Sequence, residues 1–284
     1  MAISRSDLEV LAQPAAFPDK TPYRSLSVRR IQEFAQRTGT PVREIEAAAL
    51  EHDLIPERYA RNMRTFSPAD QAALLRAHVG VVGLGGLGGT VTEILARMGV
   101  GRLTLIDGDR FEDSNLNRQL LSSPANVGRP KAEAAAERVA QINPAVDATV
   151  QACFLTAQNA AGLLDGCRVV VDCLDNLPDR FEVEDACRRI GCPMVSAAVA
   201  GASGHVTTIF PEDHGLRLIY GAPQDLPLKG AETVLGTVPY AVAFLASLEC
   251  AEAAKILLGR GGLLRGKLLV ADLNEGIVEV MTLR

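Results

Sequence analysis

The stretch His78-Val79-Gly80-Val81-Val82-Gly83-Leu84-Gly85-Gly86-Leu87-Gly88 decides the fold. A short apolar run over 78–82 feeds a glycine turn, and the pattern after the turn is helical over 86–98. A G-x-G-x-x-G turn alone is a weak signal, because tight glycine turns occur in many α/β proteins. Its surroundings strengthen it. Asp107 ends the next strand, 19 residues beyond Gly88, where an acid commonly meets a nucleotide ribose. Gly83 opens the turn, Gly85 and Gly86 would let a phosphate approach the backbone, and Gly88 would let the helix pack on the sheet. The competing reading is a structural turn followed by a solvated strand-end acid.

Working outward, apolar strands alternate with helices from residue 78 onward. The pattern predicts strands near 78–82, 102–106, 146–152, 168–172, 193–199, 204–210, 267–272 and 277–282. Helices are predicted near 86–98, 130–141, 156–164, 179–190 and 238–258. Such alternation implies an α/β, Rossmann-like, mostly parallel sheet with right-handed crossovers. The last strands follow one another without helices, so the sheet finishes antiparallel. Before this core, residues 1–22 carry Pro14, Pro18 and Pro22 and read as an extended arm. Two helical faces follow, Val28, Ile31, Phe34 and Ala35, then Val42, Ile45 and Ala49, with Thr40 expected as N-cap and Pro41 at the first helical position. The expected division is an arm and helical extension over 1–56 and an α/β domain over 57–284. The helix pair has a helix–turn–helix outline. Between Arg24 and Arg64, however, eight arginines face six acids, so packing or oligomerisation is favoured over DNA reading.

Composition narrows the classes further. The chain has 284 residues, 48% of them hydrophobic, and a net charge of −5, which argues against nonspecific nucleic-acid binding. The longest apolar run, Val238 to Leu248, stops at Glu249, so no membrane span is expected. No secretory leader is expected from the first residues. Six cysteines without a C-x-x-C pair read as reduced thiols of a cytoplasmic protein.

The polar residues of the core point to phosphate chemistry. Arg118 and Gln119 lie in Asp113-Ser-Asn-Leu-Asn-Arg-Gln119, a run rich in donors. Asn115 either faces the same ligand or caps the following turn. Lys131 opens a helix, where a cation opposes the macrodipole, and a surface lysine there gains nothing locally. Asp175 follows the apolar strand Arg168 to Val171, at the carboxyl end where open sheets bind ligands, and suits Mg²⁺. Asp172 still belongs to the strand. An NAD site cancels phosphate charge with backbone amides, whereas a triphosphate about to be cleaved also requires Arg, Lys and a metal carboxylate. The four histidines show no paired ligand spacing, and Gly201-Ala-Ser-Gly204 is not a hydrolase elbow; both read as structural.

Together these motifs resemble the ThiF/MoeB/HesA family, bacterial relatives of ubiquitin-activating enzymes. The resemblance runs from Arg58-Tyr59-Ala60-Arg61-Asn62 to the C-terminus. It rests on the Gly-x-Gly-Gly-x-Gly turn, Asp107-x-Asp109, Ser114-Asn115-Leu116-Asn117-Arg118-Gln119, Lys131, Asp172-x-x-Asp175-Asn176 and Val234-Leu235-Gly236 before an apolar helix. It implies adenylation, with ATP and Mg²⁺, of the C-terminal glycine of a small ubiquitin-like sulfur-carrier protein ending in Gly-Gly. The pathway would be thiamine, molybdopterin or another sulfur transfer. It implies that Asp107 binds ribose, that Arg118 and Lys131 bind phosphates, and that Asp175 serves Mg²⁺. Asp109, Asn115, Gln119 and Asn176 fall in the same binding motifs. Arg61 would reach across a homodimer to the partner's ATP.

Two departures qualify the resemblance. Many relatives hold a structural zinc on two C-x-x-C pairs, and this chain has neither, so no structural zinc is expected. The segment from Leu216 to Lys229 contains no cysteine, and Lys229-Gly-Ala-Glu-Thr233 stands where some relatives carry a catalytic cysteine. A covalent thioester or persulfide is therefore in doubt, while adenylation is not. The alternatives are an NAD-dependent oxidoreductase on the same fold, which leaves Lys131, Arg118 and Arg61 idle, and a noncatalytic family member.

Overall fold

A computed structural model of the chain describes residues 3–222 and 230–283. Residues 223–229, which include Lys229 and the second half of the Leu216–Lys229 segment, lie outside the described residues.

Eight strands form the central sheet, in the order β11-β10-β9-β8-β7-β4-β5-β6. β4 (His78–Val82), β5 (Arg102–Ile106), β6 (Asp147–Gln151), β7 (Val169–Asp172) and β8 (Met194–Ala200) run parallel. β9 (Ser203–Ile209), β10 (Lys267–Asp272) and β11 (Ile277–Thr282) complete it antiparallel. The chain builds outward from β4 to β5 and β6, then returns to place β7 on the other flank of β4. That reversal opens a crevice at the carboxyl end of β4, and there the site lies.

Helices cover both faces, which is why the inner strands read as continuous apolar runs. Val79, Val81, Leu103, Leu105, Val169 and Val171 point to one side, against α5 (Gly86–Met98), α6 (Lys131–Ile142) and α11 (Pro239–Leu257). Val82, Ile106 and Val170 point to the other, against α7 (Ala160–Leu163) and α8 (Leu177–Ile190). Burying each such Val or Ile is worth about 1.5–3 kcal/mol against leaving it in water. Helix α7 is shorter than the predicted 156–164, because Thr156 and Asn159 bond each other's backbone N–H in a turn before it. No helix among the described residues is long and apolar enough to cross a membrane.

The N-terminal residues are more ordered than an extended arm. Ser4 and Asp7 form a reciprocal capping box at the start of α1 (Arg5–Glu9). A three-stranded sheet follows, with β1 (Gln13–Ala16) antiparallel to β2 (Pro22–Leu26), which pairs in parallel with β3 (Leu54–Pro56). Pro14 is tolerated because β1 is an edge strand. Between β2 and β3 stand α2 (Val28–Thr38) and α3 (Val42–Glu51). The start of α3 differs from the expectation: Pro41 itself is the last extended residue, at ψ 139°, and no side chain caps the helix. The Thr40 hydroxyl is engaged by Thr38 at 2.9 Å instead. α4 (Pro68–Arg76) then leads into β4.

The join between extension and core is a buried polar network under an apolar cluster. Ala47, Leu50 and Ile55 pack with Tyr59, Ala60, Met63, Ala72 and Leu75. Beneath them Arg58 Nη1 donates to Asn143 Oδ1 at 2.8 Å, and Asn143 Nδ2 donates to the Tyr59 hydroxyl at 2.9 Å. Arg58 also approaches the fully buried Glu46 of α3 at 3.0 Å.

Candidate functional site

A cavity of about 670 Å³ opens over the carboxyl ends of β4, β5, β7 and β8. Its floor is the glycine turn. Gly83 has φ +84°, and a Cβ there would stand 2.9 Å from the Cys173 carbonyl oxygen, so both conformation and space demand glycine. At Gly88 a Cβ would fall 1.7 Å from the Gly83 carbonyl oxygen, so this glycine serves the close approach of α5 to β4. Gly85 and Gly86 line the cavity.

Asp107 is fixed by the turn it faces. Its Oδ2 accepts from the Leu84 N–H at 2.6 Å and its Oδ1 from the Asp109 N–H at 2.7 Å. Burial pushes its carboxyl above the usual range, and the two amides and Lys131 hold it back. Lys131, at the start of α6, is buried and lines the cavity. Its Nζ lies 3.1 Å from Asp109 Oδ2, an acid that is itself half exposed to the cavity. The helix-start cation is therefore held by a carboxylate that a ligand anion can replace.

Arg118 and Gln119 form the opposite rim. Arg118 donates to the Ser114 carbonyl at 3.0 Å and the Asn117 side chain at 2.8 Å, and it has no acidic partner among the described residues. Gln119 is buried, and its Oε1 has no hydrogen-bond partner. A buried amide oxygen left unpaired is costly unless a ligand donates to it. Asn115 does not line the cavity. It is buried, and its Oδ1 accepts from the Glu112 N–H at 3.1 Å, so it holds the turn that presents Arg118. Its side chain reaches back to the turn that Glu112 opens, and not to the following turn.

Asp175 and Asn176 follow β7. The exposed Asp175 carboxylate makes no hydrogen bond or ion pair among the described residues, and it lines the cavity. Asn176 also lines it, while its Oδ1 caps α8 through the Asp179 N–H at 2.9 Å. Asp172 is fully buried beneath them, paired with Arg180 at 2.9 Å. Arg61 lies outside this group, exposed beyond the single 3-10 turn at Glu57–Tyr59.

The cavity also holds residues that sequence reasoning missed. Arg180 closes its base, Phe154 stands at the wall beside Gly108, and His205 on β9 meets Tyr220 of α9 (Arg217–Tyr220). His205 has no paired spacing in the sequence, a pattern that reads as structural. Its partner is an isolated tyrosine on a one-turn helix, so no local pattern announces it. Among the described residues no group of three or more His, Cys, Asp and Glu side chains could hold a metal by itself. A magnesium ion on a nucleotide needs fewer, because one or two carboxylates and the phosphates suffice.

Comparison with known proteins agrees with this geometry. The model of the ThiF family matches residues 59–284. The chain is 38% identical over 239 residues to the sulfur carrier protein adenylyltransferase of Thermus thermophilus, covering 80% of this chain and 87% of that one. It is 36% identical over 233 residues to the SAMP-activating enzyme E1 of Haloferax volcanii, covering 80% and 85%. Among solved structures, E. coli tRNA N6-threonylcarbamoyladenosine dehydratase in complex with ATP superposes with a TM-score of 0.60 at 26% identity, covering 72% of this chain and 94% of that one.

Proposed function

Because the chain belongs to the ThiF family, we propose that it uses ATP to adenylate the C-terminal glycine of a small ubiquitin-like sulfur-carrier protein, releasing pyrophosphate. The observation that carries this reading is one cavity gathering a ribose acid, a replaceable lysine ion pair, an arginine without an acidic partner and a lone carboxylate. A dinucleotide site would use the glycines and Asp107 and leave the rest idle.

The chemistry follows from charge. A C-terminal carboxylate has a pKa of roughly 3.5, so it is an ionised nucleophile without a general base. The obstacle is its repulsion from the triphosphate. Lys131 and Arg118 oppose that repulsion at the phosphates, and Gly85 and Gly86 let the backbone approach them. Asp107 orients the ribose, Gln119 offers its unpaired oxygen to a nucleotide donor, and Phe154 offers a ring face to the base. Asp175 is the residue to hold Mg²⁺ beside the phosphates, and the ion when bound would spread their charge. Positioning supplies the remainder of the acceleration.

We assign residues 57–284 to adenylation and 1–56 to a fastening extension, in a homodimer of the cytosol in which Arg61 reaches the partner's phosphates. The test is carrier-dependent ATP–pyrophosphate exchange. Asp175→Ala abolishes it, and Lys131→Ala lowers it by about 10²-fold, as loss of one preorganised donor does. Exchange at the wild-type rate in both variants sinks the assignment. Mixing Arg61→Ala with Asp175→Ala subunits restores about a quarter of the activity, since half the dimers are mixed and each rebuilds one site of two. No recovery after proven subunit exchange removes Arg61 from the partner's site.

A further inference from the structure

The cavity continues past the groups that a nucleotide uses. Beyond Asp175 it runs along the β8–β9 hairpin, where Ala198, Ala200, Ser203 and Gly204 form its wall. Gly204 is required by packing behind this wall: a Cβ there would lie 2.3 Å from both the Ala198 carbonyl oxygen and Leu245 Cδ1. No cationic side chain of the described residues projects from these two strands into the cavity. One polar couple does. His205 Nε2 lies 2.8 Å from the Tyr220 hydroxyl, and His205 Nδ1 has no partner among the described residues.

The protonation state of this couple decides what it can hold. Burial, and then the Arg180 guanidinium, push the His205 imidazole down to about 4. The ring is neutral at any working pH and carries one donor and one acceptor. The His205–Tyr220 contact has two possible directions, and the one in which the phenol donates to Nε2 puts the imidazole proton on Nδ1. A neutral N–H can donate to a peptide carbonyl without bringing a full positive charge to the carboxylate beside it. That distinction matters for the reaction. An imidazolium would bind the attacking carboxylate tightly in the ground state and blunt it, whereas a neutral donor on an upstream carbonyl grips the tail equally before and during attack.

Building on the adenylation reading, we infer that His205, held by Tyr220, is the positioning residue for the incoming tail. It donates to a backbone carbonyl upstream of the terminal carboxylate while the tail lies extended along the β8–β9 wall. The ligand class is an extended peptide end whose last residues lack bulky side chains. The group acts on tail affinity and leaves nucleotide affinity alone.

The probe is a short synthetic peptide ending in Gly-Gly, titrated into the full-length protein saturated with a non-hydrolysable ATP analogue. His205→Ala weakens peptide binding by about tenfold, the value of one neutral hydrogen bond in a buried site, with the affinity for the ATP analogue unchanged. His205→Gln, which keeps a side-chain donor, recovers most of the loss, and Tyr220→Phe falls between. Capping the peptide as its C-terminal amide weakens binding to wild type and to His205→Ala by the same factor, because His205 does not read the carboxylate.

Several results overturn the inference. Equal peptide affinity in wild type and His205→Ala does so, as does an equal loss of ATP-analogue affinity, which would place the couple in the nucleotide site. A His205→Ala loss confined to the free-carboxylate peptide replaces the carbonyl contact with a carboxylate one. The unchanged ATP-analogue affinity also reports an intact fold. If the wild-type protein binds the analogue but neither peptide, the adenylation of a Gly-Gly tail fails, which is a separate outcome.

Discussion

Asp172–Arg180 and Glu46–Arg58 each set an arginine against a fully buried carboxylate, and their surroundings treat them differently. Asp172 and Arg180, beneath the cavity, are both fully enclosed. Asp172 Oδ2 accepts from Arg180 at 2.9 Å and from Ser196 at 2.6 Å, and its Oδ1 accepts from the Leu174 N–H at 3.1 Å. Arg180 also donates to the Leu174 carbonyl. Glu46 and Arg58, at the join of extension and core, come within 3.0 Å, yet both Glu46 oxygens and Arg58 Nε lack a well-formed hydrogen bond. Proximity of charge is thus the same, and saturation of lone pairs differs. Burial lifts the Glu46 carboxyl to about 7, while Arg58 and Tyr59 hold it down only in part. Desolvation is offset by hydrogen bonds as much as by the opposite charge, and only in the first pair are both carboxylate oxygens well supplied with them.

The comparison breaks most visibly at Asp172–Arg180. Arg180→Met leaves a carboxylate with no water and no counter-charge, and the expected loss is about 3–5 kcal/mol in urea or thermal unfolding. Asp172→Leu together with Arg180→Met recovers much of it, because no uncompensated charge then remains. A loss below 1 kcal/mol in the single variant would mean that water reaches this pair and that the contrast with Glu46 is false.

What was legible in the sequence tracks how local the cause is. β4, the glycine turn and Asp107 form one strand–turn–helix unit with a fixed spacing, and Asp175 lies just past a strand whose every residue is apolar before Asp172. The parallel pairing of β2 with β3 was not legible, because α2 and α3 intervene and each strand has only three to five residues. The buried network was half legible. The Arg58-Tyr59 motif was visible, but its use in fastening Glu46 and Asn143 requires contacts about 12 and 84 residues away in the chain. Likewise His205 acquires meaning only when Tyr220 is brought to it. Asn115 reaches back to the Glu112 N–H, a local contact different from both the ligand role and the following-turn cap that its sequence suggests.

The second test sharpens the contrast through pH. The folded Glu46 keeps its proton up to about 7, whereas an unfolded glutamate releases it near 4.5. Between these values the folded state binds more protons, so stability falls as pH rises through this window and stays low above it. His78 and His205, both pushed down by burial, act the opposite way below about 6.5. The difference between wild type and Glu46→Gln therefore isolates the group. At pH 8 the variant is the more stable by of order 2 kcal/mol, and the gap closes towards pH 5. A gap that does not change with pH would show Glu46 ionised throughout, as well held as Asp172.

The smallest expected effect asks which neighbour keeps Glu46 from rising further. Tyr59 lowers its pKa alongside Arg58, and the same hydroxyl accepts from Asn143 Nδ2, which donates also to the Ala96 carbonyl at 2.9 Å. Tyr59→Phe removes the hydroxyl and leaves the ring packed against Gly99, where no Cβ intervenes. Asn143 keeps one partner, so the stability lost is about 1 kcal/mol, the net value of a typical hydrogen bond. The informative readout is the pH midpoint of the stability difference between Tyr59→Phe and its Glu46→Gln double variant. It moves above 7, because one of the two groups favouring the carboxylate is gone. A midpoint that stays in place assigns all of the restraint to Arg58, and the weak pair then differs from Asp172–Arg180 by missing every auxiliary donor rather than most of them.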